Sequence, residues 1–189
     1  MFPSAACADG RTLRDDRFVN RFQEIEAAIR SLSSGQQAAL AVDLASLVQP
    51  FAGISQEGQP KAGLSVVVDA IQTTSTDFEI ERARLILWST PALQDDEEPD
   101  GPAWFSFGAT IAWIYAADSL TSAPSDGAVN VFKRAVDLLD AADETLGDTS
   151  LTDRFLDAVE VATDIGQVAL PPELRQSIRA AAARLTPTP

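Results

Sequence analysis

The chain has 189 residues, 46% of them hydrophobic, with 28 acidic residues against 14 basic ones and no histidine, for a formal charge of −14. That length and apolar content suit one domain with a full core. The charge argues against nucleic acid and anionic membranes as partners, since both would be repelled. Without histidine there is no Ser-His-Asp or Cys-His site, no zinc site of the usual kinds and no di-iron Glu-x-x-His motif.

Residues 1–14 hold Pro3 and Gly10, show no period and read as a flexible N-terminus. Cys7, the single cysteine, lies there and leaves no internal disulfide. The stretch around Ala5-Ala6-Cys7 has neither the basic nor the long apolar region of a secretion signal, so a cytoplasmic location is expected. The richness in Ala, Asp, Arg and Val fits a GC-rich bacterial genome. From Asp15 the pattern turns helical, with Phe18, Phe22, Ile25 and Ile29 at spacings of three and four. Ser33-Ser34-Gly35 interrupts it. A second helix carries Leu40, Val42, Leu44, Leu47 and Val48 and stops at Pro50. Phe51 to Pro60 reads as a loop.

A third helix is expected from about Lys61 to Gln72, although Val66-Val67-Val68 would also suit a strand. Thr76 or Asp77 caps a fourth, which carries Ile80, Ala83, Ile86 and Leu87 and ends near Pro91. The acidic loop 91–101 follows, and Pro102 opens a fifth helix at about 102–119. That helix is apolar nearly all round, with Trp104, Phe105, Phe107, Ile111, Trp113, Ile114 and Tyr115, which marks the buried centre of a bundle. A sixth runs from about Asp126 to Leu146 and ends at Gly147. Ser150-Leu-Thr-Asp153 reads as a capping-box variant opening a seventh, with Leu151, Phe155, Ala158, Val159, Ala162 and Ile165 as its apolar stripe. Pro171-Pro172 start a last helix before a short tail, 186–189. The fold class is therefore all-α, a single-domain bundle of about seven to eight helices over 15–185.

Most of the charge sits in two places. Residues 95–100 carry five acids and no base, while residues 137–164 carry nine acids against Arg154 alone. Asp137, Asp140 and Glu144 share one helical face, and so do Asp153, Asp157, Glu160 and Asp164. The connection between those two helices is short, so they are expected to be antiparallel neighbours whose acidic faces merge. The plain reading is a solvated surface. Two features weigh against it. Stabilising faces interleave signs, and here they do not. Asp140, Asp143 and Glu144 also sit near a helix C-terminus, where the macrodipole opposes anions by roughly 0.3–1 kcal/mol each.

The acidic loop allows a sharper reading. Asp96, Glu98, Asp100 and Gly101 match the opening of a calcium loop, but its twelfth position falls on Phe107 rather than a bidentate acid. The prenyl-diphosphate motif Asp-Asp-x-x-Asp fails at Pro99. No Gly-x-Ser-x-Gly, Walker or dinucleotide motif is present, so no cofactor is expected. What remains for catalysis is Mg²⁺ held by Asp137-x-x-Asp140 and Asp157-x-x-Glu160, the layout of all-helical nucleotide pyrophosphatases.

Residues 24–50 (EIEAAIRSLSSGQQAALAVDLASLVQP) and 95–118 (DDEEPDGPAWFSFGATIAWIYAAD) resemble the YjaG-like family of bacterial helical proteins. The likeness lies in the Gln-x-Ala after a helix start and in the acid-rich turn before a helix containing Ala-x-Asp. The chain lacks that family's aromatic-rich segment between the second and third helices. The resemblance implies an all-helical fold and no chemistry.

The leading expectation is a non-catalytic binding domain that masks a basic partner, as an immunity protein neutralises a toxin. Its candidate contact residues are Asp137, Asp140, Glu144, Asp153, Asp157, Glu160 and Asp164, with Asp95, Asp96, Glu97 and Glu98 of the loop. The alternatives are the Mg²⁺-dependent pyrophosphatase and a structural helical subunit of a bacterial complex.

Overall fold

The computed structural model describes residues 9–54, 68, 76–89, 93, 98–147 and 150–186, with side chains from residue 18 onward. The described residues hold seven α-helices and no strand: α1 (Asp9–Ser31), α2 (Ser34–Val48), α3 (Asp77–Trp88), α4 (Pro102–Thr121), α5 (Pro124–Leu146), α6 (Leu151–Asp164) and α7 (Pro172–Leu185). A 3-10 turn, Gln49–Gly53, follows α2. The all-α class is as expected.

α4 is the centre. Trp113, Ile114, Ala109, Ala112, Ala116 and Ala117 are all fully buried, and α2, α3, α5 and the 3-10 turn pack around them. Small residues let the helices close up. A Cβ on Gly127 of α5 would lie 2.5 Å from the Ser119 amide nitrogen of α4, so only glycine fits that crossing. On the far side of α5, Phe132 sits between Phe22 of α1 and Phe155 of α6, with ring centroids 5.0 and 6.0 Å away. This aromatic column fixes α6 against the bundle.

Side chains finish the helix ends. Ser33 and Gln36 form a capping box at the start of α2, and Thr76 with Glu79 forms another at α3. The buried Gln37 amide donates to the Ile29 and Arg30 carbonyls, both at 3.1 Å, and so closes the C-terminus of α1. Gly147, at φ 66°, ends α5 in the left-handed conformation.

The structure departs from the sequence reading in several places. α1 is already helical at Asp9, well before Asp15 and inside the stretch expected to be flexible, because an apolar stripe marks only where a helix is buried and not how far it extends. The expected loop after Pro50 instead buries Phe51, Ala52 and Ile54 against α4. The expected helix 61–72 lies outside the described residues except for Val68, which is helical and buried. Ile86 is exposed, since it lies about 60° around α3 beyond Ala83, at the edge of the Ile80–Ala83–Leu87 arc. Ile165 is exposed as well, at the edge of the α6 stripe rather than within it.

The Ser150 capping box is a further correction. Its hydroxyl makes no cap hydrogen bond to α6. The buried carboxylate of Asp143, projecting from the last turn of α5, accepts from the Leu151 and Thr152 amides at 3.2 and 2.9 Å. One helix thus caps the next, which explains an acid where the α5 dipole alone would disfavour it.

Candidate functional site

The predicted acids fall into groups organised by arginines. On α6, Asp153, Asp157, Glu160 and Asp164 form one exposed stripe, as their spacing requires. The guanidinium of Arg21, from α1, lies across Asp157 and Glu160, with Glu160 at 2.9 Å. The sequence shows no base beside these acids except Arg154, because Arg21 arrives from more than a hundred residues away. No local signal could have revealed it.

The α5 acids Asp137, Asp140 and Glu144 are exposed too. Asp137 keeps accessible surface, yet neighbouring atoms displace enough hydration to raise its carboxyl above the usual range. Arg134 opposes that rise, while Glu98 and Asp140 add to it. Arg134 lies 3.6 Å from Glu98, which also accepts from the Trp104 indole at 3.1 Å. Glu98 is therefore tied to the start of α4 rather than free in a loop. Asp95, Asp96 and Glu97 lie outside the described residues.

A raised folded-state pKa costs stability while the carboxylate is charged, and the cost disappears as pH falls through that pKa. Asp137→Asn is therefore expected to raise the urea midpoint at pH 7, with the gain vanishing in acid below the carboxylate's titration. Equal midpoints at neutral pH would show that Asp137 has no such cost.

Sequence reasoning missed the apolar ground next to the α6 acids. Val161 and Ile165 are 58% and 60% exposed, one turn apart. With Ala158, Ala162, Pro171 and Leu174 they line a groove of about 550 Å³ between α6 and α7. Asp157 and Glu173 stand on its rim, and among the described residues Arg154 is the one base lining it. The signal available in the sequence was Val161, an apolar residue set among the acids of the outward face.

Among the described residues, no three carboxylates or thiols come together where they could hold a metal ion. Asp157 and Glu160 are instead engaged by Arg21, so the magnesium reading gains no geometric support. No described helix is long and apolar enough to cross a membrane.

The fold and this face together define the class: an all-helical bundle presenting an acidic stripe beside an open apolar groove. Comparison with protein-family models, curated proteins and solved structures finds no match that would place the chain more closely.

Proposed function

We propose that the chain is a non-catalytic binding domain that holds a basic protein partner against the exposed face of α6, the role an immunity protein plays toward a toxin domain. The observation that carries this reading is the α6 stripe itself, where Asp153, Asp157, Glu160 and Asp164 share one exposed face at the border of an apolar groove. Acids alone would serve solubility. Acids beside exposed Val161 and Ile165 fit an interface, where an apolar centre is rimmed by charge. Arg21 neutralises part of this charge at Asp157 and Glu160, and the four acids of the stripe still outnumber it. Complementary charge would give fast association that weakens with salt.

The test is capture from the organism's own extract on wild-type protein and on an Asp164→Lys variant, eluted with a salt gradient. Asp164 is chosen because reversing Asp157 or Glu160 would also break the contact with α1. One basic protein retained by the wild type, released by salt and lost or much weakened on the variant is the expected result. Equal capture by both, or no specific capture, would overturn the reading.

A further inference from the structure

The groove between α6 and α7 has a shape, a chemistry and a border that select among occupants. With Val161 and Ile165 each more than half exposed, it is an open trough rather than an enclosed cavity. A small apolar ligand there would keep much of its surface in water, unlike ligands in true pockets. From Arg154 to Ile165 the α6 wall is about 17 Å long, close to three helical turns. Val161 and Ile165 form an i, i+4 ridge, the unit by which one helix packs against another. Opposite it stand exposed Pro171 and Glu173, with the buried Leu174 of α7 at the floor.

The border is charged on one side. Around α6 the order runs from the acids Glu160, Asp153, Asp164 and Asp157 directly into Val161, Arg154 and Ile165. Glu173 adds an acid on the α7 side. A segment lying in the trough would therefore bring its flank over the α6 acids.

We infer that this groove docks an amphipathic helix of the partner, with apolar side chains at i, i+3 or i+4 and i+7 seated on Val161, Ile165 and Pro171, and with Arg or Lys along the flank that meets Asp164. The inference rests on the acidic-surface reading above for the sign of the flank, and on the groove alone for the apolar contact. It is the helix-in-groove mode of recognition, with charge setting orientation.

The probe is a synthetic amphipathic peptide of about 14 residues, with leucines on one face and arginines on the flanks. A second peptide keeps the leucines and carries glutamates instead. Binding is followed by fluorescence anisotropy at about 0.05 and about 0.5 M salt. The arginine peptide is expected to bind the wild type at least about tenfold more tightly than the glutamate peptide, and to weaken in high salt. Val161→Asp is expected to weaken it by about tenfold or more. Because Val161 is exposed, that variant should fold, and circular dichroism checks this. Ile165→Glu, at the second exposed position, repeats the test independently.

Full binding by Val161→Asp and Ile165→Glu, with loss on Asp164→Lys, would overturn the groove and leave the acidic surface standing. Loss on the two groove variants, with equal affinity for both peptides and no salt effect, would overturn the basic flank and count against the acidic-surface reading. No binding of either peptide to the wild type would overturn the groove as a helix site, leaving the capture experiment to judge the wider reading.

Discussion

Trp113→Ala is expected to destabilise the domain as a whole instead of silencing one surface. Trp113 is fully buried at the middle of α4, the helix around which α2, α3, α5 and the 3-10 turn pack. Removing so large a side chain forfeits its transfer free energy and leaves a cavity that fixed neighbours cannot fill, a cost of roughly 3–5 kcal/mol. Domains of this kind are stable by only about 5–15 kcal/mol in all. The indole nitrogen adds a second, separable effect, because it is buried without a hydrogen-bond partner among the described residues. Trp113→Phe removes that donor while keeping an aromatic ring, so it should cost distinctly less than the alanine change. Urea denaturation followed by circular dichroism measures both. A Trp113→Ala protein with an unchanged urea midpoint that has lost only partner binding would contradict this account of α4.

α4 could be foreseen because its evidence is contiguous. Pro102 marks its start, and apolar residues on every side mark its burial. The α5 and α6 stripes are legible for the same reason, as is Gly147 between them. The 3-10 turn was not legible. Phe51 and Ile54 follow a proline and sit among small residues with no period, so their burial depends on α4 lying overhead. The candidate site divides likewise. That Asp153, Asp157, Glu160 and Asp164 share a face follows from the helical repeat alone. That Arg21 neutralises part of that face, and that Val161 and Ile165 open onto a groove, depends on where α1 and α7 pack, which no local pattern encodes.

Asp143 separates structural acids from those left for binding. The residue is 5% exposed, and its carboxylate holds the two amides that open α6. Asp143→Ala leaves both amides buried without an acceptor. At roughly 1–3 kcal/mol for each stranded donor, partly recovered by water, the expected loss is about 2–4 kcal/mol. Asp143→Asn keeps one acceptor oxygen but turns a donor toward the second amide, so an intermediate loss is expected. The damage should be local first, with the Leu151 and Thr152 amides losing hydrogen-exchange protection before the bundle as a whole. Glu144 is the control. It is adjacent, equally acidic and equally close to the α5 C-terminus, but exposed. Glu144→Ala is expected to fall within about 0.5 kcal/mol of wild type, or to gain slightly as an anion leaves the helix end. Similar changes for the two variants would mean that the α6 cap does not depend on Asp143. A large loss for Asp143→Ala alone would remove one acid from the set whose placement asks for a function. It would leave the exposed face of α6, which Asp143 holds in register beside the groove, as the surface to test for a partner.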